Sequence, residues 1–135
     1  MLNEQIVALI NEQVNKEFYS AYLYYDMVNY YSDEGLDGFA NWFDVQAQEE
    51  MSHAQLFADY LKYNGDKVIL QAIAKPDIAF NNFNDPLMNS LAHEQYITAS
   101  IHNIYATASD IKDFRTMQFL DWFIQEQGEE EKNAD

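Results

Sequence analysis

Glu50 and His53 stand three residues apart, so on a helix they lie one turn apart along the same face. A carboxylate and an imidazole in that relation are metal-ligand types. Oxygen-rich sets with one imidazole suit iron or manganese better than a structural zinc site. A lone Glu-x-x-His arises often by chance in an acidic helical chain, so its meaning depends on what joins it. Glu17, Glu94 and the pair Gln127 and Glu130 also occupy positions where the periodic pattern calls for apolar side chains. A buried, isolated carboxylate costs several kcal/mol or takes up a proton. One such residue is easily a satisfied polar group of a core. Four segments each carrying one call for a shared compensating charge, which a metal cluster would supply. A Glu50 carboxylate bridging two ions would hold them close enough to deliver two electrons to dioxygen.

Apolar residues recurring at spacings of three and four predict four helices that would position these groups. The first covers about residues 3–32, with Asn3 as N-cap and Gly35 and Gly38 beyond it. Its stripe is Ile6, Ile10, Gln13, Glu17, Ala21, Tyr24, Val28 and Tyr31. The second covers about 37–64, stops at Gly65, and presents Phe39, Phe43, Gln46, Glu50, His53, Phe57 and Tyr60. The third opens at Asn84-Asp85-Pro86, with Asp85 as cap and Pro86 at the first helical position. Its stripe is Leu87, Leu91, Glu94, Thr98, Ile101, Tyr105 and Ala108. The fourth starts near Asp113 and reads Met117, Leu120, Phe123, Gln127 and Glu130.

Between Gly65 and Asp85 lies a connection of about 20 residues with Pro76 and a cluster of asparagines, too long for a hairpin between neighbouring helices. The second helix would be roughly 42 Å long, a distance that such a connection retraces with slack. The predicted fold is therefore an all-α four-helix bundle, two antiparallel pairs joined by one long crossover. In that topology Glu17, Glu50, Glu94 and Glu130 stand about 14, 14, 16 and 17 residues from one end, level within roughly 5 Å. A plain up-and-down arrangement would drop Glu94 and Glu130 to about 8 and 5.

The 135 residues make one domain, 48% hydrophobic and 16% aromatic, which separates the chain from disordered acidic tails. There is no cysteine, so disulfides, thiolate zinc sites and cysteine catalysis are excluded. Seven basic against 23 acidic side chains give a net charge of −16, which repels nucleic acid and anionic membrane and attracts cations. Read alone, that charge fits solvated helix faces better than cation steering, so the positions of the carboxylates must decide. No apolar run reaches membrane-spanning length, and Met1-Leu2-Asn3-Glu4 does not open a signal peptide, so a cytoplasmic location is expected.

At these residues the sequence strongly resembles bacterial non-haem ferritins. The resemblance spans essentially the whole chain. It rests on Asn11-Glu12-Gln13 with Glu17-Phe18-Tyr19-Ser20, on Ala47 through His53, on His93-Glu94-Gln95, and on Glu126-Gln127-Gly128-Glu129-Glu130-Glu131-Lys132. It implies one iron held by Glu17, Glu50 and His53, and a second held by Glu50 and Glu94 with Glu130 beside it and Gln127 close by. It implies a third iron site at Glu49, Glu126, Glu129 and Glu130. Tyr24 corresponds to a tyrosine that hydrogen-bonds near the centre and donates an electron, although it is one of ten tyrosines. Trp122 matches a tryptophan near the site, and a core aromatic fits it as well.

The implied activity is ferroxidase: Fe(II) oxidised by dioxygen, then ferric mineral stored in a homo-oligomeric shell of 24 subunits. Two departures stand out. Bacterioferritins repeat Glu-x-x-His on the fourth helix and bind haem through a methionine. Here that helix has Gln127 and Glu130, and Met51 at the haem position reads as an apolar packing residue, so no haem is expected. His93 and His102 fall off the stripes and read as surface or subunit-contact residues. Ferritin subunits also extend further, with a short fifth helix lining the fourfold channels, whereas this sequence ends at Asp135, five residues past Glu130. The alternatives are a rubrerythrin-like or bacterioferritin-like di-iron oxidase or peroxidase, and a non-catalytic helical assembly protein whose polar layer only fixes register.

Overall fold

Helix α1 (Glu4–Asp33) starts where Asn3 accepts the Gln5 N–H at 2.8 Å, the expected cap. It ends in a turn that needs a positive φ, supplied by Gly35 at 74°, where the Leu36 N–H returns to the Tyr31 carbonyl at 2.9 Å. Helix α2 (Asp37–Tyr63) closes in the same way through Gly65, φ 77°, with the Asp66 N–H on the Leu61 carbonyl. Helices α3 (Asn84–Asp110) and α4 (Phe114–Ala134) follow, the latter capped by Asp113, which accepts the Thr116 N–H at 3.0 Å. The structure, a computed structural model, describes residues Met1–Asp135. No helix is long and apolar enough to cross a membrane.

The predicted crossover is present. It begins beside the start of α1, where the Leu2 N–H donates to Asp66, and then runs along that helix. The Asn11 amide donates to the Lys67 carbonyl, and its oxygen accepts the Ile69 N–H at 2.8 Å. Asn15 donates to the Gln71 and Ala72 carbonyls, and at the far end the Tyr31 hydroxyl donates to the Phe83 carbonyl at 2.7 Å. These asparagines satisfy backbone groups that a segment without secondary structure cannot satisfy by itself. α3 therefore starts at the same end of the bundle as α2, giving two antiparallel pairs, α1 with α2 and α3 with α4.

Two details differ from the sequence expectation. Asp85 is not the cap of α3: its carboxylate accepts the Asn81 N–H, while Asn82 Oδ1 accepts the Asn84 N–H at 2.9 Å. Pro86 falls inside the first turn, where no helical hydrogen bond is lost. The buried face of α3 is also turned by about one residue. Pro86, Ser90, Glu94, Ile97, Ile101, Ile104 and Ala108 are buried, whereas Leu87, Leu91, Thr98 and Tyr105 flank that face half-exposed. Ser90 tolerates the interior because its hydroxyl donates to the Leu87 carbonyl. On α2, Phe39 likewise lies outside the core, 38% exposed.

Two apolar clusters fill the bundle. One joins Ile6, Ile10, Phe57, Ile101, Leu120 and Phe123 with their neighbours from all four helices. The other, richer in aromatics, joins Leu23, Tyr24, Met27, Tyr31 and Phe43. Between them lies one polar layer.

Candidate metal centre

Each helix gives that layer one or two side chains. Glu17, Glu50, His53, Glu94, Gln127 and Glu130 are all buried, none more than 5% exposed. Ligand atoms of Glu17, Glu50 and His53 lie within 4.8 Å of one another, and so do those of Glu50, Glu94 and Glu130. Glu50 belongs to both triads. The His53 imidazole is oriented by packing: its ring meets Trp122 and Phe123 edge-on at 5.6 and 5.9 Å, and Nδ1 lies 3.4 Å from Glu50.

Hydrogen bonding in the layer is uneven. The Tyr24 hydroxyl donates to Glu94 Oε1 at 2.5 Å, and the Gln127 amide donates to Glu94 Oε2 at 3.2 Å and to Thr98 at 3.2 Å. Gln13 donates to Glu17 Oε1 at 3.1 Å. Glu17 Oε2, both oxygens of Glu50, His53 Nδ1 and Gln127 Oε1 are buried without any hydrogen-bond partner. Buried polar atoms are rarely left in that condition, so five in one layer mark a place built for something else.

The electrostatics agree. Burial raises the carboxyls of Glu17 and Glu50 well above the ordinary range, and the charge of Glu50 adds to the rise at Glu17. Glu94 is raised by burial despite the hydrogen bonds from Tyr24 and Gln127, and Glu130 is pushed up to about 8 by burial and then by Glu94 and Glu49. Without cations these groups hold their protons more firmly than free carboxyls do, and bound divalent ions would displace those protons and satisfy the partnerless atoms. The donor set, four carboxylates and one imidazole, fits iron.

Glu49, Glu126 and Glu129 lie outside the layer. With Glu130, His53 and Trp122 they line a surface cavity of about 530 Å³ that leads to it. The four glutamates implied for a third iron, Glu130 among them, thus line one cavity, but together they do not form a further close ligand cluster.

A family profile described as "Ferritin-like domain" matches residues 7–135. The chain belongs to the ferritin family. It is 38% identical over 131 residues to the bacterial non-heme ferritin of Staphylococcus epidermidis, covering 97% of this chain and 79% of that protein. The identity to the Staphylococcus aureus protein of the same name is 36% over the same shares. Among solved structures it is similar to the open pore ferritin of Archaeoglobus fulgidus, at TM-score 0.97 and 39% identity over 99% of this chain and 83% of that one. The Chlorobium tepidum ferritin also superposes at TM-score 0.97, with 35% identity over 99% and 82% of the two chains.

Of the two readings of Trp122, the core aromatic does not fit: it is 49% exposed and lies beside the site, edge-on to His53. Two other side chains in this ferritin-family chain differ from expectation. Met51 is not packed: it lies 44% exposed in an apolar groove with Phe18, Tyr22 and Tyr25. His93 is not a surface residue. It is partly buried with its Nε2 2.6 Å from Ser20 Oγ, and burial lowers its pKa to about 4. Ser20 spends its own proton on the Lys16 carbonyl, so neutral His93 donates from Nε2. His102 is exposed, as expected.

Proposed function

We propose that the chain is the subunit of an iron-storage protein and a ferroxidase, with two Fe(II) ions per subunit and dioxygen as substrates. The observation that supports this most directly is the pair of buried triads sharing Glu50, with partnerless ligand atoms between them. Each Fe(II) gives up one electron and dioxygen is the oxidant. Glu17, Glu50 and His53 would bind one ion, and Glu50, Glu94 and Glu130 the other. Gln127 and Tyr24 orient Glu94 through the hydrogen bonds they donate to it. The apolar clusters above and below the layer exclude water from it. Glu49, Glu126 and Glu129 form the acidic mouth that draws Fe(II) inward, and with Glu130 they are the candidate third site. The product Fe(III) passes to ferric mineral held by a homo-oligomeric shell, of 24 subunits by analogy with ferritins, in the cytoplasm.

The test is Fe(III) formation after mixing iron-free protein with two Fe(II) per subunit in air, beside Glu50→Ala. Fast oxidation lost in the variant is the expected result. Oxidation no faster than in protein-free buffer would overturn the proposal.

A further inference from the structure

Only one partnerless ligand oxygen has a twin on the same carboxylate that is firmly held. Glu17 Oε1 accepts from Gln13 Nε2 at 3.1 Å, while Oε2 has no partner. The bond from Gln13 is the last of a series that starts at the protein surface. Lys16 Nζ, 5.3 Å above the Tyr96 ring, donates to Ser100 Oγ at 2.8 Å. Ser100 Oγ donates to Gln13 Oε1 at 2.7 Å. Gln13 is itself 1% exposed, and its amide spans the gap from α3 back to Glu17 on α1.

The direction of this series is fixed by its first member. An ammonium group has only protons to give, so Ser100 must accept from Lys16. The one hydroxyl proton of Ser100 then goes to Gln13, whose carbonyl oxygen faces Ser100 and whose NH₂ faces Glu17. Glu17 Oε1 is therefore bound as an acceptor, and Oε2, free of any donor, is the oxygen presented to a proton or a metal ion. Without Lys16 and Ser100 the Gln13 amide could turn over and present its carbonyl to the carboxylate. Carboxylate ligands held in this way by outer hydrogen bonds bind metal more tightly, commonly by 10–100-fold.

We propose that Gln13, Ser100 and Lys16 are positioning residues that hold Glu17 Oε1 as an acceptor and so aim Oε2 into the Glu17–Glu50–His53 triad. The inference rests on the reading of that triad as a metal site. It assigns the series to one of the two ions, because none of its members touches Glu94 or Glu130.

The experiment is anaerobic titration of the metal-free protein with Co(II), followed by calorimetry and by the visible absorption of the bound ion. Variants are Ser100→Ala, Ser100→Thr and Gln13→Ala, with Glu50→Ala as reference. Ser100→Ala changes no charge and does not touch Glu17. Wild type binding two ions, with one weakened about tenfold in Gln13→Ala, several-fold in Ser100→Ala and restored in Ser100→Thr, is the expected result. The other ion should stay within about twofold, which general loosening of the fold would not produce. Two ions bound with unchanged affinity in Gln13→Ala and Ser100→Ala would overturn the positioning role alone, as would equal weakening of both ions. No ion bound by wild type, or binding indifferent to Glu50→Ala, would overturn the metal site and the inference with it.

Discussion

The two triads share Glu50 but differ in what their other members already hold. Around Glu17 and His53, one oxygen is tied down by Gln13 and the remaining ligand atoms have no partner outside the centre, so an ion displaces only the proton-mediated contact between Glu17 and Glu50. Around Glu94 both oxygens are engaged, one by Tyr24 and one by Gln127, and an ion there competes with at least one of them. Both triads adjoin the acidic cavity, one through His53 and the other through Glu130, so the hydrogen bonds and not the route of entry distinguish them. The difference separates a preorganised position from an exchanging one: the Glu17–His53 ion should fill first, and the Glu94–Glu130 ion should exchange more readily.

The largest effect tests what the triads have in common. Glu50→Ala should remove both ions in a Co(II) titration and slow Fe(II) oxidation by more than about 100-fold, because the rest of neither triad closes around an ion. Next come changes that separate the two. Glu17→Ala should abolish the tighter binding step and leave the weaker, while Glu130→Ala should do the reverse. Loss of both steps in either variant would show that the positions are not independent.

A third effect is on the metal-free protein. The Glu130 carboxyl, pushed up to about 8 from an ordinary 4.5, keeps its proton in the folded chain after the unfolded chain has lost it. Below about pH 4.5 both states are protonated, so the stability linked to this group is present in acid and lost as pH rises through about 8. Thermal unfolding of the metal-free protein should show that decline, and Glu130→Gln should flatten it. Glu17, raised in the same direction but remote from the mouth, should flatten it as well when changed to glutamine.

The smallest effect is at Tyr24. Tyr24→Phe removes the hydrogen bond to Glu94 and should cost the metal-free protein about 1–2 kcal/mol in denaturant unfolding. It should weaken the second ion a few-fold, since the tyrosine orients Glu94. If that ion binds more tightly instead, the tyrosine competes for the carboxylate more than it helps to place it.

How much of this was legible in the sequence depended on whether the signal was periodic. Glu17, Glu50, Glu94 and Glu130 interrupt apolar stripes, so their burial and common level followed from counting along helices, and the crossover followed from its length. The face of α3 did not: Leu87 and Leu91 draw the eye to its edge, and the buried Ser90 looks like a surface residue until its hydroxyl is seen to be satisfied within its own turn. His93 is not legible in the sequence because its partners Ser20 and Tyr24 come from α1, whose rotation relative to α3 no stripe specifies. Gln13 stood in the α1 stripe, but its part in the centre depends on Ser100, 87 positions away.

The seam between the crossover and α1 has a consequence for how the protein opens. Ile69 sits in a segment with no helix, yet its N–H is held by the Asn11 side chain. Its exchange with solvent deuterium is therefore gated by whatever frees Asn11 from the loop, by detachment of the strap alone or by melting of the helix beneath it. One amide in an otherwise irregular stretch thus becomes a clock for the docking of the whole connection.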